Sequence, residues 1–220
     1  YEISLGLVGS EMCIRDSRPT LGLAALTMAG TIGIGAVLGI IAGYFRGIAE
    51  EIIMRIVDVM LSFPSQIMVF AVVALLGVSV QNVIIANVFI KWAWYARMIR
   101  TGVMQYRDKN FVQFSRCVGM PERFILFRHL LPSITSDLAV LASLDIGWAI
   151  INISTLSFLG LGVQAPTPEW GAMLNEAKEV LTSNPTQMLA PGIAIVALVC
   201  CFNLLGDAMR DVLDPKEVAK

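Results

Sequence analysis

The stretch RMIRTGVMQYRDKNFVQFSRCVGMPERFILFR, residues 97–128, holds seven of the 16 Lys and Arg residues of a 220-residue chain. They are Arg97, Arg100, Arg107, Lys109, Arg116, Arg123 and Arg128. Long apolar runs with almost no charge lie on both sides. Short loops rich in Lys and Arg between membrane helices stay on the cytoplasmic side, so this stretch reads as a cytoplasmic loop joining two spans. Composition points the same way. The chain is 56% hydrophobic and 15% charged, with a mean hydropathy of +0.73, whereas a soluble domain carries about 25% charged residues. The expected class is an all-α polytopic membrane protein. A net charge of −1 supplies no basic field for nucleic acid.

Working towards the N-terminus, residues 59–90 are uncharged and too long for one ordinary span. A turn at Gly77-Val78-Ser79 divides them into expected helices at about 54–76 and 82–100, with Pro64 kinking or starting the first. The second ends in KWAWYAR (91–97), aromatic residues beside Arg, the composition of a membrane interface. Residues 46–55 read as an interfacial loop. Residues 21–45 are uncharged and form a further span, with Gly35, Gly39 and Gly43 on one face for close helix packing.

Towards the C-terminus, residues 133–160 form a span with a single charge, Asp145. Residues 161–186 form an outer loop with Glu169, Glu176 and Glu179 against one base, Lys178. A last span at about 187–206 precedes a charged inner tail. Five spans result, the first running from outside to inside, and a sixth is expected ahead of it in an intact protein. The string GLVGSEMCIRDS (6–17) resembles translated sequencing-adapter read-through. Residues 1–17 are therefore read as a non-native segment, and residues 18–220 as one membrane domain.

The central loop, about 101–132, has its own physical logic. Gly119-Met120-Pro121 breaks it into two short helices, since Gly tolerates a left-handed helix end and Pro suits the start of the next helix. Phe111, Phe114 and Ser115 precede the break and offer a face that enters a partner's groove. Arg116 and Arg123 either pair with acidic groups there or enforce topology and contact anionic lipid. Residues 111–132, FVQFSRCVGMPERFILFRHLLP, resemble the cytoplasmic loop of bacterial ATP-binding-cassette (ABC) importer permeases, whose pattern is Glu-Ala-Ala, three residues, Gly, and a later Leu-Pro. Gln113, Phe114 and Ser115 replace Glu-Ala-Ala, while Gly119, Leu131 and Pro132 keep their places.

The segments IKWAWYARMIR (90–100), SFLGLGVQAPTPEWGAML (157–174) and LGDAMRDVLDP (205–215) resemble the second, C-type permease of dipeptide, oligopeptide and nickel importers, over roughly residues 18–217. WAWYAR (92–97) and LDIG (144–147) lean to the nickel type. The resemblance implies a type I permease fold with six helices in the intact member and a bacterial inner-membrane location. It also implies a homologous permease partner, two ATP-binding subunits docked on the loop, and an extracytoplasmic binding protein that meets the outer loop, with Glu169 and Trp170 as docking candidates. In that setting Gln113, Phe114, Ser115, Arg116, Gly119, Pro121, Leu131 and Pro132 form the ATPase-coupling loop.

Asp145 is expected at membrane depth, where a carboxylate faces a cavity or a partner. It either lines the path and meets a cation or amine, or bonds a neighbouring helix. Asn82, Asn87 and Asn152 read as interhelical hydrogen-bonding groups. Cys200 and Cys201, inside an apolar run, read as small buried hydrophobes. No CxxC pair, phosphate-binding Gly-rich loop, Gly-x-Ser-x-Gly or His-Glu-x-x-His occurs, and His129 is the one histidine. No catalytic residue, metal site or cofactor is expected in this chain. The competing readings are a secondary transporter or channel without an ATPase, which would show an inverted repeat with broken helices, and an intramembrane enzyme, which needs a paired constellation around Asp145.

Overall fold

The computed structural model describes residues 2–164, 167 and 169–213, with side chains from Ser17 onward. Among the described residues every regular element is helical. The elements are α1 (Glu2–Phe45), α2 (Ile48–Ser62), α3 (Ser65–Leu76), α4 (Val80–Arg107), α5 (Asn110–Cys117), α6 (Glu122–Ile125), α7 (Leu131–Phe158), α8 (Trp170–Glu179) and α9 (Leu189–Leu213). A π-helical turn, Leu126–Leu130, joins α6 to α7. By length and apolarity, Ser17–Phe45, Glu122–Phe158 and Pro185–Leu213 can each cross a membrane, and α2 and α3, bent by 90° at their junction, reach that length and apolarity only when taken together. The fifth expected span is α4, at 1.5 Å per residue about 42 Å long, with Lys91, Arg97 and Arg100 along its length.

The glycine face of α1 decides how these helices meet. A Cβ added at Gly35 would lie 2.5 Å from Tyr95 Cβ, one at Gly39 2.6 Å from the Ala96 carbonyl, and one at Gly43 2.7 Å from Val103 Cβ. Only glycine permits this approach. Contacts advance together along both chains, from Gly30 opposite Val88 to Gly43 opposite Val103, so α1 and α4 are parallel. Helix α7 runs antiparallel to α4, with the Asn152 amide donating to Asn87 Oδ1 (3.1 Å) at one end and Gly102 facing Ile134 at the other. Helix α9 lies antiparallel to α7, Gly147 facing Val199 and Gly206 facing Leu144. These directions match the alternating topology expected from the loop charges.

Six local expectations change. Only Arg46 and Gly47 turn the chain after α1. Residues 48–55 are already helical, with Glu50 bonded to Arg100 of α4. The helix expected over 54–76 is broken at Phe63-Pro64, where Pro64 removes a backbone donor and starts α3. Helix α4 continues past residue 100 to Arg107. Since Gly30 sits beside Val88 and Gly35 beside Tyr95, Lys91 is level with the middle of the uncharged run 21–45 rather than with its end. Finally, the outer loop 161–186 contains a helix, α8. Cys200 and Cys201 are exposed on α9, not buried.

Candidate functional site

The inner loop is rigid by local chemistry. Helix α5 ends in a Schellman motif: the Met120 N–H donates to the Ser115 carbonyl and the Gly119 N–H to the Arg116 carbonyl, both at 3.0 Å, with Gly119 at φ +79°. That backbone region favours glycine. Pro121 then sits at the N-cap of α6, and α6 passes through the π turn into α7 without a loop. The break expected at 119–121 is therefore present, and the loop is a helical elbow whose ends continue into α4 and α7.

The elbow's outer face is apolar. Phe114 is 70% and Phe127 64% exposed, and Phe111, Val118, Met120 and Phe124 are exposed beside them. Gln113, Pro121, Arg123 and Pro132 are exposed too, while Leu131 is half-buried at the start of α7. Two expected face residues point elsewhere. Ser115 is buried; its hydroxyl donates to the Phe111 carbonyl (2.9 Å) and sits 3.3 Å from His129 Nε2. Phe111 and Phe124 pack around that imidazole. Arg116 stacks on Tyr44, its guanidinium carbon 5.3 Å from the ring centroid, with Arg107 at 5.8 Å. Each such contact contributes about 0.5–1 kcal/mol where exposed. These arginines tie the elbow to the end of α1 rather than projecting towards a docked partner.

The charges of α4 are paired at depth. Tyr95 Oη donates to Asp145 Oδ2 at 2.8 Å, and Lys91 Nζ lies 3.6 Å from the same oxygen. Lys91 also sits 3.5 Å from the Trp148 ring centroid. The lone Asp145 of the sequence is thus one member of a four-residue cluster on α4 and α7, a satisfied interhelical pair. Arg100 donates to Glu50 and Arg97 to Asp58, linking α4 to α2. No local pattern marks Lys91, because its partner Asp145 lies more than 50 residues on.

At the outer end, α7 closes with a second Schellman motif, Leu161 N–H to the Leu156 carbonyl at 2.9 Å and Gly160 N–H to the Ser157 carbonyl at 3.0 Å. Ser157 Oγ then accepts from the Val163 N–H (3.0 Å), which accounts physically for SFLGLG (157–162). Glu169 is fully buried. It accepts from Ser154 Oγ (2.9 Å) and caps α8 through the Ala172 N–H (3.1 Å). Trp170 is buried beside it. Both anchor α8 to α7, so neither presents a docking surface in this conformation. Pro166 and Pro168 of this loop lie outside the described residues.

Comparison with known proteins bears on this arrangement. The pattern of the binding-protein-dependent transport system inner membrane component family matches residues 35–218. The chain belongs to that family. Among curated members of this permease family, the chain is 46% identical over 171 residues to the metal-staphylopine import system permease protein CntC of Staphylococcus aureus, covering 78% of this chain and 59% of that one. It is 43% identical to the glutathione transport system permease protein GsiD of Pectobacterium atrosepticum (97% and 71% covered). It is 41% identical to the nickel transport system permease protein NikC of Escherichia coli K12 (93% and 74%). The chain thus spans less than two thirds of the length of the staphylopine relative. Among solved structures, the inward-facing MetNI methionine ABC transporter superposes with a TM-score of 0.74 at 19% identity, covering 91% of this chain and 96% of that one. The fold is that of an ABC-transporter permease, and the chain is a multi-pass membrane protein.

Proposed function

We propose that this chain is a non-catalytic permease subunit of an ABC importer in a bacterial inner membrane. It forms a translocation path with a homologous permease, receives substrate from an extracytoplasmic binding protein, and is driven by two ATP-binding subunits docked on the elbow. The observation that carries this reading is the exposed aromatic face Phe111, Phe114, Phe124 and Phe127 on an elbow stiffened at Gly119 and fused to α4 and α7. An apolar helical face of this kind fits a partner's groove. Because the elbow has no slack, displacement of the docked partner would move the membrane helices as a unit. The substrate is proposed as a small polar solute, a metal ion or complex or a short peptide, on the strength of the relatives' names.

The test is cysteine crosslinking in the complete transporter, co-expressed with its neighbouring ATPase and permease genes. Phe114→Cys and Val118→Cys should crosslink to the ATP-binding subunit, while the inward-facing Ser115→Cys should not. Absence of crosslinks together with uptake that persists without ATP would sink the proposal. Competition between nickel and short peptides for uptake would then decide the substrate.

A further inference from the structure

Four buried polar atoms at the inner end of α1 have no hydrogen-bond partner among the described residues. Tyr44, in the last turn of α1, is 4% exposed, and its hydroxyl is unpartnered. Arg107, the last residue of α4, and Arg116, in the last turn of α5, lie beside its ring, their guanidinium carbons 5.8 and 5.3 Å from the centroid. Arg107 Nε and Nη1 and Arg116 Nε are shielded from water and unpartnered as well. Three of these atoms can only donate, and the phenol oxygen can also donate. Buried polar groups in folded proteins almost always have a partner, and an exception calls for an acceptor such as an ion.

The surrounding charges say what kind of acceptor fits. Arg46 and Arg116 are like charges acting on Arg107, and the acids acting on it are Asp108 and Glu50. Both acids are already engaged, Asp108 by Arg46 at 3.2 Å and Glu50 by Arg100. Arg107 and Arg116 are thus two half-buried positive charges without an acid of their own among the described residues. Holding two guanidinium groups against one ring sets their charges close together, and an anion between them relieves that repulsion. One flank of the cluster is apolar. Phe45, edge-on to Tyr44 at 5.3 Å, is 62% exposed, and Ile48 is 78% exposed. Tyr44 and Phe45 close the uncharged run 21–45, so the cluster sits at the inner face of the membrane, where anionic headgroups lie. Arg116 turns away from the exposed aromatic face of the elbow.

We infer that Arg107, Arg116 and Tyr44 form a binding site for the phosphate of an anionic phospholipid of the inner leaflet, its acyl chains lying along Phe45 and Ile48. A phosphodiester carries two charged oxygens, which match the planar donor forks of the two arginines, and the Tyr44 hydroxyl supplies a further donor. The bound lipid joins the end of α1 to the end of α4 and to the first limb of the elbow. The site is separate from the docking face, and it needs only the membrane location, not the importer reading.

For the test, the chain is purified in detergent with the subunits co-expressed with it. It is titrated with fluorescently labelled phosphatidylglycerol, or with phosphatidylcholine carrying the same label. Saturable binding of phosphatidylglycerol alone is expected. Arg107→Gln and Arg116→Gln should each weaken that binding about fivefold, and the double variant about thirtyfold. Tyr44→Phe, which keeps the ring and removes the hydroxyl, should weaken it too. Arg55→Gln, which removes an exposed base from α2, should leave it unchanged. Thermal midpoint and subunit content report folding, and if the double variant does not assemble, the single variants carry the comparison. Equal weakening by Arg55→Gln and Arg116→Gln would overturn the site, leaving only diffuse attraction to a basic surface. Displacement of the labelled lipid by inorganic phosphate, beyond that caused by chloride at matched ionic strength, would overturn the lipid reading in favour of a free anion. Unchanged phosphatidylglycerol binding in the double variant, together with loss of the ATP-binding subunits, would overturn it in favour of an acidic group on a partner.

Discussion

Lys91 and Asp145 show how a charge is held in a membrane by geometry that no local window reveals. Asp145 receives the Tyr95 hydroxyl and the Lys91 ammonium at one oxygen, and Lys91 rests on Trp148. Removing Lys91 leaves the Asp145 charge with only the Tyr95 hydroxyl, and breaking a buried ion pair costs about 3–5 kcal/mol. Lys91→Met is therefore expected to lower the thermal midpoint of the detergent-purified transporter sharply. Lys91→Met combined with Asp145→Leu should recover most of that loss, and a double variant no better than the single would contradict the pairing. The sequence showed Asp145 as a lone carboxylate with two open readings. Lys91, by contrast, was absorbed into an apparent interfacial run, because positive charge near aromatics is the usual mark of a helix end. Depth became readable only once α1 and α4 were known to run in parallel.

At the scale of the element, the elbow was largely legible and its faces were not. Gly119-Met120-Pro121 announces a helix end followed by a helix start, and the Schellman bonds occur there. Ser115 and Arg116 turn to the inner side of the elbow. On an eight-residue helix, the inward stripe is set by what lies beneath, here His129 and Tyr44, and neither is local in sequence. Gly119 has open space around it, yet its φ is +79°, so substitution strains the backbone rather than clashing. Gly119→Ala is expected to cost about 1 kcal/mol and to reduce uptake modestly. Gly119→Glu adds a charge to the docking face and should abolish uptake while membrane insertion remains intact. Equal uptake in both variants would separate the elbow's shape from its function. The 90° bend at Pro64 was half-visible: proline marked the place, but apolar residues on both sides hid that the span is broken.

Across the molecule, α1 and α4 make the most extensive interhelical contact, and the glycine seam sets their distance. Packing of this closeness is intolerant of a single methyl group, and overpacking costs about 1–3 kcal/mol. Gly39→Ala, where the new Cβ would lie 2.6 Å from the Ala96 carbonyl, should lower the folded fraction of the protein in membranes. Gly33→Ala, with nothing within 4 Å, should behave as the parent. The comparison is read by thermal stability in detergent, and equal midpoints for the two variants would refute the seam. The fold class, the order of the spans and the family were accessible from charge spacing and three motif segments. The depth of α4 and the orientation of each functional side chain depended on contacts between residues tens of positions apart.

The parallel seam has a consequence for biosynthesis. Parallel neighbours cannot form a hairpin, so the face of α1 carrying Gly43 waits for Val103, 60 positions further on. At about 5–20 residues per second, the ribosome needs several seconds to deliver that partner. Throughout this interval the close-contact stripe of α1 faces lipid or the insertion machinery. Substitutions along the stripe should therefore show themselves in the yield of newly made protein earlier than in the behaviour of protein already assembled.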